Sequence, residues 1–207
     1  VLGSNDAIVS TSALMIGVAA SDPSTRAIAI AGVAGLVGGA MSMAVGEYVS
    51  VSSQADTEDA DIETERGELA QEPAAELAEL TAIYIKRGLD RELAERVARA
   101  LTEKDPLAAH LRDELGIEPH SRARPLQAAA ASALSFAAFA LVPLVALLLA
   151  PAAYRLHTLV TASLVSLGAL GALGAKLGGA PKLKATVRVT LGGALAMALT
   201  AGIGRAF

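Results

Sequence analysis

Residues 27–46 read AIAIAGVAGLVGGAMSMAVG, a run without one ionisable side chain. A helix of that length crosses the hydrocarbon core of a bilayer. Similar apolar stretches occupy residues 7–21, 126–150, about 156–176 and about 187–203, the last being the shortest. The sequence therefore predicts an all-α integral membrane protein with five transmembrane helices. Pro143 falls inside the third span, where neighbouring helices re-satisfy the freed backbone groups. Between the first two spans, SDPSTR reads as a turn, with Pro23 breaking the helix and its Ser, Asp and Thr neighbours available as caps. The chain opens abruptly at Val1, without the basic n-region or cleavage site of a secretory signal, so the natural N-terminus is expected to lie upstream.

One stretch breaks this pattern. Residues 54–124 hold 18 of the 21 acids and ten of the 17 Lys and Arg residues. The expected organisation is residues 1–53 as spans one and two, residues 54–118 as an acidic helical domain on the cytosolic side, and residues 119–207 as a linker with spans three to five. The first insert helix continues from span two through Tyr48 to about Glu72. Pro73 opens the second, which ends at Gly88 and turns Leu77, Leu80, Ile83 and Tyr84 inward. Asp90 caps a third that buries Leu93, Val97 and Leu101. Asp105-Pro106 opens a fourth, ending at Gly116. A net acidic insert offers nothing to displace counterions from phosphate, which argues against nucleic acid as a partner. With no Cys, thiolate and iron–sulfur sites are excluded. The three His residues, His110, His120 and His157, are too scattered for a His-based zinc motif.

Glu58, Asp61, Glu65, Glu68 and Glu72 are spaced 3, 4, 3 and 4 and so share one helix face. Stacked like charges destabilise a helix by a few tenths of a kcal/mol per pair. The stripe is either a cation-binding face suited to divalent metals or solvated surface offset by Arg66, Lys86 and Arg87. In the spans, Asp6 opens the first and Glu47 closes the second, and a charge near membrane depth marks a pathway unless it is a solvated helix end. Met41 and Met43 are packing residues or weak thioether ligands.

Lys176, Lys182, Lys184 and Arg188 between the last two spans, with Arg122 and Arg124 in the linker, outnumber Arg26 and Arg155 on the other side. The positive-inside rule then places the acidic domain in the cytoplasm. Ala31, Gly35 and Gly39, and Gly174 with Gly178, form small-residue ladders that let helices approach closely, within one bundle or across a dimer.

The opening run Asn5-Asp6-Ala-Ile-Val-Ser-Thr, the run from Gly39 through Met43 and Glu47 to Gln54, the Glu-rich insert and the closing Glu114-Leu-Gly-Ile117 resemble, in order and over the whole chain, the vacuolar iron transporter family. The resemblance implies a homodimeric transporter that moves Fe²⁺ out of the cytosol in exchange for protons, in a bacterial protein across the inner (plasma) membrane. It implies no prosthetic group, with Fe²⁺, or Mn²⁺, Zn²⁺ or Co²⁺, as substrate and bound ligand. Carried over residue by residue, the metal ligands are Glu65 and Glu68, Glu76 and Glu79, and Glu114. Where the family has Met, four and three residues before that last Glu, this chain has His110 and Leu111, and only His110 can be a ligand. Asp6 and Met43 match the family's membrane pathway, with Glu47 at its cytosolic mouth. Transport rather than enzymatic activity follows. The alternatives are a membrane-bound di-iron ferroxidase, for which the Glu-x-x-His pairs are missing, and a non-transporting metal sensor.

Overall fold

A computed structural model of the chain describes residues 2–21, 24–118 and 123–206. The described residues form eight α-helices and one 3-10 turn, with no strand among them. The helices are α1 (Leu2–Ser21), α2 (Thr25–Gln71), α3 (Pro73–Lys86), α4 (Arg91–Lys104), α5 (Pro106–Asp113), α6 (Pro125–Leu149), α7 (Arg155–Leu177) and α8 (Lys182–Gly204). Two compact units result, one of Val1–Tyr48 with Leu126–Phe207 and one of Val49–Pro125. Asp22 and Pro23, expected in the first turn, and Pro119, His120, Ser121 and Arg122 of the expected linker lie outside the described residues. Ser24 fulfils the capping expectation, its Oγ accepting from the Ala27 amide at 3.2 Å.

In the first unit α2, α6, α7 with its preceding 3-10 turn, and α8 are long and apolar enough to cross a membrane. α1, expected as the first of five spans, is not among them; Ser4, Asn5, Asp6, Ser10, Thr11 and Ser12 crowd its N-terminal half. It is nonetheless deeply packed, touching α7 and α8 and burying Ala7, Ile8 and Met15 completely. Met15 joins Ile28, Leu144, Leu147 and Leu159 in one apolar cluster, and Ala7 joins Phe136 and Ala140 in another. On α1 the buried Ser12 hydroxyl donates to the Ile8 carbonyl at 2.6 Å, while buried Thr11 Oγ1 has no partner. Of the small-residue ladders, Gly39 is used inside the bundle: a Cβ there would stand 2.2 Å from Phe136 Cζ. On α7 a close approach falls at Gly171, whose Cβ would lie 3.0 Å from the Thr186 Cα of α8. Pro143 is fully buried within an unbroken α6.

The second unit takes the C-terminal part of α2 with α3, α4 and α5. Pro73 occupies the first turn of α3. Asp90 and Asp105 cap α4 and α5 by accepting from the Leu93 and Ala108 amides at 2.9 and 3.0 Å, each worth about 1 kcal/mol. Gly88 (φ 102°) and Gly116 (φ 69°) take the left-handed conformation after α3 and α5 that a side chain would resist. The core is Leu80, Ala98 and Ala109, flanked by Leu77, Tyr84 and Leu101. Complete burial of Leu80 contributes about 2 kcal/mol. The buried face of α4 differs from the sequence expectation. Ala94 and Ala98 are fully buried, while Leu93 is 39% exposed and Val97 half-buried. α4 lies against Leu80 through methyl groups, so its larger side chains are displaced to the flanks.

Candidate metal site

Four side chains from three helices meet in the second unit. Glu65 comes from α2, Glu76 from the first turn of α3, His110 from α5 and Glu114 from the turn that follows it. One ligand atom from each lies within 4.8 Å of all the others. His110 Nδ1 stands 2.9 Å from Glu114 Oε2, 3.0 Å from Glu65 Oε1 and 3.6 Å from Glu76 Oε2. Glu65, Glu76 and His110 are buried, and Glu114 forms the open side.

The cage is electrostatically incomplete. Nδ1 carries at most one hydrogen, and its hydrogen bond goes to Glu114. Glu65 Oε1 is buried and accepts none, and His110 Nε2 is buried without a partner. A buried polar atom left unpaired costs about 1–3 kcal/mol. Nearby bases do not relieve it, since Arg66 pairs with Glu63 and Arg87 with Asp113. Burial, then the charge of Glu114, pushes the Glu65 carboxyl up to about 7. Burial likewise raises Glu76, against the opposing pull of His110. A divalent cation at the common point of the four atoms would complete the coordination of Nδ1 and of all three carboxylates, while Nε2 keeps the ring hydrogen.

Glu68 and Glu79, the second members of the two ExxE pairs, are exposed and outside the cage. Their charges still reach it, Glu68 raising both Glu65 and Glu76 and Glu79 raising Glu76. Along the α2 stripe only Glu65 is buried; Asp61, Glu68 and Glu72 are exposed, and half-buried Glu58 accepts from Gln54.

A neighbouring network escapes the sequence reading. Asp113, the last residue of α5, accepts from Tyr84 Oη at 2.7 Å and from Arg87 at 2.7 Å, and Arg112 also donates to it. Arg87 additionally donates to the Asp113 carbonyl at 2.8 Å and lies over the Tyr84 ring. The Arg112 hydrogen bond, with those of Arg87 and Tyr84, holds the Asp113 carboxyl well below the usual carboxylate range. The clamp ties the end of α3 to the end of α5, one residue before Glu114. Tyr84 and Arg87 at i,i+3 and the flanking Arg112 are its only local signature.

In the first unit, Asp6 and Met43 line one cavity of about 220 Å³, together with Ser10, Ser42, Gly39 and Phe136. Asp6 is exposed to it and Met43 half-buried. Glu47, also exposed, lies one turn beyond Met43 on α2 and is outside the lining.

Long apolar helices in one unit and a small polar helical unit in the other define an all-helical integral membrane protein. The VIT family matches residues 1–205, and the chain belongs to that family, as the resemblance implied. It is 49% identical over 205 residues to a protein of Acanthamoeba castellanii named vacuolar iron transporter, covering 99% of this chain and 76% of that one. Shorter matches reach vacuolar iron transporter homolog 4 of Oryza sativa subsp. japonica, 58% identical over 30% of each chain. Vacuolar iron transporter homolog 2 of Arabidopsis thaliana is 50% identical over 35% of this chain and 37% of its own. The chain thus spans about three quarters of the first relative and about a third of the plant proteins it matches.

Proposed function

We propose that this protein carries divalent transition-metal ions, Fe²⁺ first among them, out of the cytosol in exchange for protons. The observation that carries the proposal is the cage of Glu65, Glu76, His110 and Glu114, in which three carboxylates converge on one imidazole nitrogen and buried Glu65 Oε1 lacks the partner that a cation would supply. The name of the Acanthamoeba relative supports iron as the cargo.

On this reading the second unit is cytosolic and captures the ion, and α1 is the fifth span. The ion then passes the cavity at Asp6 and Met43, with Glu47 at its cytosolic mouth. A carboxylate must lose its proton to bind metal, and that couples the two fluxes. The protein acts as a homodimer; Val37 and Met41 of α2 are exposed, and Gly38 between them has open space around it. Mn²⁺ and other divalent ions share the path.

The test is metal uptake into liposomes with an imposed pH gradient, comparing Fe²⁺, Mn²⁺, Co²⁺ and Zn²⁺. Gradient-dependent uptake of Fe²⁺ is expected. Protein that binds metal but moves none would instead be a sensor, and oxygen consumption on adding Fe²⁺ would mark a ferroxidase.

A further inference from the structure

The cage presents three carboxylate oxygens and one ring nitrogen, and we infer that the nitrogen sets its selectivity. His110 makes it a mononuclear site that prefers a borderline d-block cation (Zn²⁺, Co²⁺, Fe²⁺) to Mn²⁺, and rejects Mg²⁺ and Ca²⁺. The inference rests on the reading of the cage as a cation site and adds what that site takes.

Geometry limits the ion first. A metal about 2.0–2.2 Å from each of four tetrahedral ligands places those ligands about 3.4 Å apart. The separations from His110 Nδ1 are 2.9, 3.0 and 3.6 Å, and all four donor atoms lie within 4.8 Å of one another, so one ion can reach all four. Ca²⁺ requires about six to eight oxygens at longer range, and Mg²⁺ an octahedron of oxygens and retained waters. With Glu65, Glu76 and His110 buried, those extra ligands can enter only past Glu114.

Donor chemistry limits it further. Carboxylates alone discriminate poorly among divalent ions, whereas imidazole suits zinc, iron and their neighbours, and affinity at nitrogen-bearing sites is lowest for Mn²⁺. The His110 ring is fully buried and its Nδ1 faces all three carboxylates. When Nδ1 offers its lone pair to a metal, the one hydrogen of the neutral ring sits on Nε2. The nitrogen therefore belongs to the inner coordination of whatever ion sits there.

The test uses the full chain in detergent and compares wild type with His110→Gln, which replaces the nitrogen by an amide oxygen of similar reach. Competition titrations with Zn²⁺, Co²⁺, Mn²⁺ and Mg²⁺ read the selectivity. The expected result is a loss of about 100-fold for Zn²⁺ and Co²⁺ and of less than about 5-fold for Mn²⁺, with unchanged helicity by circular dichroism. Paramagnetic resonance of bound Cu²⁺ should show nitrogen hyperfine coupling in wild type that disappears in His110→Gln. Parallel losses for all ions, or nitrogen coupling that survives the substitution, would overturn this inference while leaving the cage as a cation site. Wild-type protein that binds none of these ions would overturn both. Should His110→Gln lose helicity, the wild-type spectrum decides alone: Cu²⁺ bound without nitrogen coupling refutes the role of His110.

Discussion

The cage in the second unit and the cavity in the first hold carboxylates in opposite circumstances. Glu65 and Glu76 are buried, crowded by one another and by Glu114, and raised in proton affinity. Asp6 is exposed to a cavity whose other lining side chains are hydroxyl, apolar or thioether groups. A buried cluster of acids is held in tension until a cation or protons enter, so it retains what it captures. A lone carboxylate beside neutral, weakly coordinating groups binds an ion loosely enough to let it leave. On the proposed reading the first arrangement collects metal and the second passes it, and the two should fail in different assays.

The largest expected effect is on flux. Asp6→Asn keeps the size of the side chain and removes its charge. It should abolish pH-driven Fe²⁺ uptake into liposomes while leaving binding by the cage unchanged. Wild-type uptake in that variant would make Asp6 an interfacial helix end and dissolve the contrast.

Next comes affinity. The double substitution Glu65→Ala, Glu76→Ala removes two of three oxygens from the cage and should weaken divalent-metal binding by about 100-fold or more, read by isothermal titration. Transport should slow at low metal and recover at high metal, because the cavity is untouched. Equal slowing at all concentrations would mean that cage and cavity are not separable in role.

That separation was only partly legible in the sequence. The uncharged runs marked four helices long and apolar enough to cross a membrane, while the run at residues 7–21 falls in α1, which is not among them; Pro73, Asp90, Asp105 and Gly88 marked real starts and stops, because caps and left-handed glycines act locally. The inward face of α4 was hidden because alanines carry it, and Ala94 and Ala98 give no periodic signal against Leu93 and Val97. Spacing brought Glu65 to notice and the family resemblance Glu76, but neither could show that their ExxE partners stay outside. Residues three apart differ by about 60° around a helix axis, and the entry to the cage admits one per helix. His110 stood out only as a departure from the family pattern, and nothing local announced it as the hub of three carboxylates. The Asp113 clamp joins α3 to α5 across 29 and 26 residues, beyond the reach of any local rule.

A smaller effect follows from pH. Glu65 titrates near 7 when folded, above its ordinary 4.5. The folded metal-free protein therefore holds this proton more tightly than the unfolded chain. The stability so contributed is present in full below about pH 4.5 and lost as pH rises through about 7. Metal affinity should move the other way, rising by up to about tenfold per pH unit below 7 as the proton is displaced and levelling off above it. Amide hydrogen exchange of α5 in metal-free protein, corrected for intrinsic rates, should be slower at pH 5.5 than at pH 8, and saturating Zn²⁺ should remove the difference. Exchange protection that increases with pH in the metal-free protein would contradict the assigned burial of Glu65.

The smallest effect distinguishes a compact cage from a larger one. Glu68 and Glu79 are exposed, so their attraction for a cation in the cage is screened, and exposed charge pairs are worth about 0.2–1 kcal/mol. Each also holds up the proton affinity of Glu76, and Glu68 that of Glu65. Removing them would weaken the pull on the metal but make its competitor, the proton, easier to displace, and the two changes oppose one another near neutral pH. Glu68→Ala, Glu79→Ala should therefore lower metal affinity by no more than about fivefold at pH 7 in 0.15 M salt. The loss should shrink further in higher salt, and the number of ions bound per chain should stay at one. If this pair instead matches the loss seen for Glu65→Ala, Glu76→Ala, or if stoichiometry falls from two to one, then the exposed acids are direct ligands. The site would then be binuclear, formed when α2 and α3 turn both members of each ExxE pair toward bound metal.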